Sequence, residues 1–252
     1  MSARQEVIAA IESELQCGDF KDYTLNGLQV EGRDTVTRVM SGVTANQALL
    51  DEAVAWKADL VLVHHGYFWK NEPVAVTGMK RRRLATLMTH DINLLAYHLP
   101  LDAHATLGNN VQLAKRLDLT PSGCLDGALG QGLLWYGNTS SSMDHAAFAA
   151  HIERQLGREP LVIAGHARSI ERVAWCTGGA QDMLPLAAKA GVDAFISGEI
   201  SERTTHMARE MGVTYVAAGH HATERDGVRA LGDWLASRFD ITHRFVDVDN
   251  PA

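Results

Sequence analysis

The sequence predicts an α/β protein made of two similar α/β halves, and three observations predict it. Short apolar runs rich in β-branched residues alternate with amphipathic stretches, so strands and helices take turns and the sheet is largely parallel. The stretch "RVMSGVTANQALLDEAVAWKADLVLVHHG" (38–66) matches "RVAWCTGGAQDMLPLAAKAGVDAFISGEI" (172–200) without a gap at an offset of 134. The composition, 46% hydrophobic and 21% charged over 252 residues, is that of an ordinary globular chain able to bury one large core or two moderate ones.

Taken in order, "MSARQEVIAAIESEL" is a charged amphipathic helix without the apolar core of a signal peptide. No run of about 18 apolar residues follows, so no membrane span is expected and a cytoplasmic location is the expectation. Residues 38–66 read as a strand, a small polar turn, a helix and a second, buried strand. In the repeat Arg38 meets Arg172, Val39 meets Val173, Leu50 meets Leu184 and Asp59 meets Asp193. The second strand runs into "VLVHHGYFW" (61–69), where His64 and His65 point to opposite sides if the strand continues.

Further on, "LLAYHLPLD" (94–102) lies over "VAAGHHATE" (216–224) at an offset of 122, which sets His98 on His220 and Asp102 on Glu224. A 12-residue excess in "GYFWKNEPVAVTG" reconciles the two offsets. "KRRR" (80–83) opens the next helix, as a solvated face or as a phosphate-attracting rim. Asn109 and Asn110 are expected to cap the helix "NVQLAKRLDL". Residues 120–170 look like an inserted, linking segment: "PSGCLDGALGQG" is turn-rich, "GNTSSSM" a polar loop before a helix, and "PLVIAGH" a strand. The tail is a helix with Val228, Leu231 and Leu235 on one face, then a strand in "HRFVDVD". The expected organisation is therefore a first half at 1–119, a linking segment at 120–170 and a second half at 171–252.

Thirty acids against 23 bases give a net charge of −7, which argues against wholesale coating of nucleic acid while leaving room for a local basic patch. The three cysteines, Cys17, Cys124 and Cys176, form no CxxC pair, so neither a disulfide framework nor a thiolate zinc site is expected. No G-x-G-x-x-G, Walker loop or G-x-S-x-G elbow occurs, and no Ser-His-Asp order, which argues against a serine hydrolase.

The chemistry concentrates at three strand ends, where parallel α/β sheets gather ligands. They carry His64–His65, His98-x-x-x-Asp102 and His220-His221-x-x-Glu224. Imidazole nitrogen with carboxylate oxygen suits zinc, iron, manganese or nickel, and adjacent histidines with a bridging carboxylate could hold two ions. Pro100 between His98 and Asp102 predicts a loop joining them. Glu199 and His206 lie near the repeat equivalent of His65, as supporting groups or as cover for the strand end.

With these residues stand the ordered motifs "YTLNGLQVEG" (23–32), "VLVHHGYFW", "YHLPLDAHATLGNN" (97–110), "DAFISGEISE" (193–202) and "AAGHHATE" (217–224). Together they resemble the GTP cyclohydrolase 1 type 2 family, also called Nif-three-like proteins, in its short bacterial branch. The resemblance runs from near residue 20 to the carboxyl terminus. It implies two interlocked α/β domains, a metal centre of two divalent ions between them (zinc, iron or manganese), and a homohexameric ring. Carried onto this sequence, it implies metal ligands at His64, His65, Asp102, His220 and Glu224. His221 is left out because many relatives have an aromatic residue there, and His98 is assigned to proton transfer. The implied activity is a metal-dependent hydrolase acting on a nucleotide, by GTP ring opening or clean-up of damaged nucleotides. The rival reading is a ring-shaped metal-binding scaffold that holds partners or nucleic acid without turnover.

Overall fold

The computed structural model describes residues 2–125 and 132–252, so residues 126–131 of the turn-rich stretch lie outside the described residues. In chain order the first elements are β1 (Ser2–Ala3), α1 (Arg4–Leu15), β2 (Gly27–Val30), β3 (Thr35–Val36), β4 (Arg38–Thr44), α2 (Gln47–Trp56) and β5 (Leu60–His65). There follow α3 (Gly78–Thr89), β6 (Asn93–Ala96), α4 (Leu99–Ala103), α5 (Asn109–Arg116), β7 (Thr120–Leu125), β8 (Leu134–Met143), α6 (His145–Leu156) and β9 (Leu161–Ile163). The last are β10 (Ile170–Trp175), α7 (Leu184–Lys189), β11 (Ala194–Ser197), α8 (Glu202–Met211), β12 (Thr214–Ala217), α9 (His220–Thr223), α10 (Arg225–Arg238) and β13 (Thr242–Phe245).

Two compact units form, one from residues 1–101 and 227–249, the other from 102–226 and 250–252. In the first, a five-stranded sheet runs β13-β4-β5-β6-β2, with β13, β4, β5 and β6 parallel and β2 antiparallel at the edge. Val61 and Val63 of β5, Met40 of β4, Leu49, Leu50 and Ala53 of α2, and Leu84 and Leu87 of α3 share its core. Burial of such aliphatic side chains, about 1.5–3 kcal/mol each, holds the helices on the sheet. Asn46 caps α2 by accepting from the Leu49 N–H, as a strand-to-helix turn requires. The second unit has a six-stranded sheet, β7-β8-β10-β11-β12-β9, in which β10, β11 and β12 are parallel. Residues 120–125 and 134–143 supply β7 and β8 to its edge, and "NTSSSM" is strand, not loop, because it pairs antiparallel with β10.

The duplication is written in repeated detail. The Asp59 carboxylate accepts the Arg38 N–H at 2.9 Å, and the Asp193 carboxylate accepts the Arg172 N–H at 2.9 Å. Each aspartate thereby holds the start of its unit's leading parallel strand, Arg38 being the first residue of β4 and Arg172 the third of β10. The Asp59 N–H donates to Arg38 O and the Asp193 N–H to Arg172 O, closing the same ring in both. Strand register corrects the second sequence offset. Val61 pairs with Leu94, and its counterpart Phe195 pairs with Tyr215, so the offset across β6 and β12 is 121, not 122. His98 therefore falls opposite Gly219 and His220 opposite Leu99, one residue off the alignment that pairs the histidines. The excess in the first unit is 13 residues, ten of which precede the helix caps Thr77 and Ser201.

Candidate metal centre

Strand β5 continues through both histidines, yet the rings of His64 and His65 stay together, with centroids 4.5 Å apart. His98, just past the end of β6, brings a third imidazole 5.0 Å from His64. One nitrogen from each of the three lies within 4.8 Å of the others, so this unit presents a histidine group that could hold a metal ion. Two of these rings have their orientation set from behind. His64 Nδ1 lies 2.9 Å from Tyr97 O, and a carbonyl accepts only, so Nδ1 carries the proton and Nε2 keeps its lone pair. His98 Nδ1 lies 3.0 Å from the Asp22 carboxylate, so the neutral form of this ring likewise keeps its proton on Nδ1 and its lone pair on Nε2.

Asp22, which holds the His98 ring, is a residue the sequence reading missed. It sits one position before the "YTLNGLQVEG" motif, in an irregular segment without periodicity to mark it. Its carboxylate also accepts the N–H groups of Tyr23 and Leu99 and the Asn26 amide. Burial alone would raise its pKa, but the His98 hydrogen bond and charge, with the Asn26 and Leu99 donors, hold it at about 2. Tyr23 and Trp69 stand edge-on to the His98 ring, with centroids 5.0 and 5.1 Å away.

The second unit has a group of its own, built on carboxylates. Asp102 is 7% exposed, and its Oδ1 accepts from Asn109 Nδ2 at 2.8 Å and from the Thr177 hydroxyl. Asn109 and Asn110 thus do not cap α5. They lie inside it, and Asn110 Nδ2 donates to the Asp102 carbonyl while its Oδ1 accepts the Thr177 N–H. Glu224 is 2% exposed, and both it and Asp102 push the buried Cys176 thiol further up after burial has raised it. Gly178 allows the approach: at its φ of +66° a Cβ would stand 2.1 Å from Glu224 Oε1. His220 Nε2 lies 3.2 Å from Glu224 Oε2, and its Nδ1 2.6 Å from Glu199 Oε1. Burial pulls its pKa down, but the Glu224 and Glu199 carboxylates outweigh that and raise it to about 9. A buried carboxylate, Glu224, and a half-exposed one, Glu199, gathered on an imidazole are the donor chemistry of a hard or borderline divalent cation, which takes the place of the proton. The donor set of this chain therefore fits a metal.

Some expectations change at this level. His98 and Asp102 are joined by the short helix α4, since Pro100 sits in its first turn, where a missing N–H does no harm. His206 pairs with Glu202 on an exposed helix face. His221 is buried, with its backbone N–H on Ala252 O. A Ser–His–Asp chain does exist: Ser41 Oγ is 2.7 Å from His243 Nε2, and His243 Nδ1 is 2.8 Å from Asp233. Ser41 is fully buried in β4, so no acyl substrate reaches it and the chain locks β13 and α10 to β4.

A family model described as Duf34/NIF3 (NGG1p interacting factor 3) matches residues 2–251 of this chain. The chain belongs to the Duf34/NIF3 family. Among its relatives, the GTP cyclohydrolase 1 type 2 homolog of Yersinia pestis is 55% identical over 248 residues, 98% of each chain. The homolog of the same name from Pseudomonas aeruginosa is 53% identical over 250 residues, 99% of each. The solved structure of protein ybgI, described as of unknown function, superposes with a TM-score of 0.96 at 50% identity over the whole of both chains. The Duf34/NIF3 fold is thereby shared along the full length. No helix among the described residues is long and apolar enough to cross a membrane.

Proposed function

We propose that this Duf34/NIF3 protein is a hydrolase dependent on two divalent metal ions and acting on a nucleotide. The ligands are His64, His65, Asp102, His220 and Glu224, and His98 transfers protons. The observation that supports the reading is the group of three imidazoles, His64, His65 and His98, in which Tyr97 O and Asp22 hold the His64 and His98 rings through Nδ1. The names of the relatives supply the substrate class. When bound, two divalent ions supply Lewis acidity for a hydrolytic step. The chain's own residues do the rest. Asp22 holds His98 so that Nε2 can take a proton and return it. Asn109 and Thr177 orient Asp102, and Gly178 leaves room beside Glu224. Trp69 and Tyr23 offer apolar faces beside His98 for a flat base. The homohexameric ring implied by the resemblance belongs to the same proposal, and the exposed Tyr23, Leu25, Phe68, Val74 and Val76 of the first unit are the surface in keeping with it.

The test is elemental analysis of unchelated and reloaded protein together with a nucleotide panel. About two ions per chain and turnover above that of free ions are expected. A ceiling near one ion under every loading removes the dinuclear reading. Stoichiometric metal without turnover of any nucleotide replaces the enzyme with the scaffold.

A further inference from the structure

A cavity of about 350 Å³ in the first unit opens beside the ten-residue excess that distinguishes this half of the duplication. Ligand pockets start near 300 Å³. Its lining includes Tyr67, Pro73, Met79, Lys80 and Arg83, with Glu72 the one acid. Three features converge on it. The N-terminus of the 12-residue helix α3 faces the cavity through Thr77, Gly78 and Met79, with no side-chain cap and no acid in its first turn. Its free N–H groups and dipole therefore point positive charge inward. One turn on, Lys80 and Arg83 lie on the same helix face. The Lys80 side chain is 15% exposed and engages Pro73 O, Glu72 and the Phe68 ring, whereas Arg83 makes no ion pair among the described residues and its buried Nε has no partner. Independently, Tyr67 is 5% exposed, and its hydroxyl is buried without a hydrogen-bond partner. A native protein rarely leaves such donors orphaned unless something else accepts from them.

We propose that this cavity binds an oxyanion, a phosphoryl or carboxylate group, carried on a small apolar body. The oxyanion accepts from Arg83, the Tyr67 hydroxyl and the amino end of α3, and the body lies against Pro73 and Met79. Arg81 and Arg82 are exposed and take no part, so the basic run "KRRR" divides into two solvated residues and two that line a site.

The test is calorimetric titration of the full-length protein with phenyl phosphate, benzoate and benzyl alcohol, before and after removal of metal by chelation. At least one anion should bind tenfold or more tightly than the alcohol, and which one does so identifies the group. Arg83→Gln should weaken that binding about 10–100-fold, the range for a hydrogen bond to a charged group. Tyr67→Phe should weaken it about tenfold while leaving thermal stability unchanged or higher, because it removes a hydroxyl that has no partner in the protein. Binding that vanishes on chelation would place the anion on metal and overturn the proposal. So would binding indifferent to both substitutions, or no anion binding at all because a second copy of the chain covers the cavity.

Discussion

Asp22→Asn tests whether His98 is a positioned base. The Asp22 carboxylate collects His98 Nδ1, the Tyr23 and Leu99 N–H groups and the Asn26 amide, with contacts of 2.7–3.2 Å. Asparagine replaces one acceptor oxygen by a donor. Asn26 cannot turn over to help, since its Oδ1 already accepts the His98 N–H at 2.7 Å. The new NH₂ therefore settles on the Oδ1 side, against Tyr23 N–H and His98. His98 answers by moving its proton to Nε2 so that Nδ1 can accept, and the lone pair that faced the site is lost. One charge-assisted hydrogen bond lost and one donor left facing another sum to about 2–4 kcal/mol of stability. Any hydrolytic rate that uses His98 should fall about 10²–10⁴-fold. Nitrogen-15 NMR of labelled histidine reads the tautomer directly, and urea denaturation reads the stability. A His98 still protonated on Nδ1 in the variant, with stability within about 0.5 kcal/mol of the parent, would refute the reasoning.

Three further outcomes are expected. Glu224→Gln should lose at least one metal ion by elemental analysis, since a neutral amide no longer offsets cation charge in a recessed site, whereas His221→Phe should keep the full complement; metal lost on changing His221 and kept on changing His220 would mean that His221 is the ligand of the pair. Light scattering should give a mass several times 27.4 kDa, and a clean monomer would remove the ring. Asp59 and Asp193 each have a lowered pKa: burial opposes it, but hydrogen bonds outweigh burial, led by Thr37 for Asp59 and by Arg168 for Asp193. Their stabilisation is thus full above the unfolded value near 3.8 and lost as pH falls through the lower folded values, so the acid dependence of the urea midpoint should flatten in Asp59→Asn and in Asp193→Asn.

The sequence by itself determined the α/β class, because strand and helix periods and β-branched runs are local properties that need no partner to be read. It also paired Asp59 with Asp193, since a duplicated strand start keeps the acid that ties down its N–H groups. His64, His65 and His98 were legible as strand-end imidazoles for the same reason. Other features became visible only in the tertiary structure. The one-residue shift between His98 and His220 depends on which residues face each other across parallel strands, and an ungapped comparison of letters cannot see register. Asn109 and Asn110 stand where caps usually stand, and only the position of Asp102 turned their amides inward. The strand β13 returns to pair with β4 from 204 residues away. Asp22 reaches His98 across 76 residues, and Ser41 meets His243 across 202. Such contacts are fixed by how the chain closes on itself, and a hydrogen bond between distant residues leaves no period or spacing along the sequence.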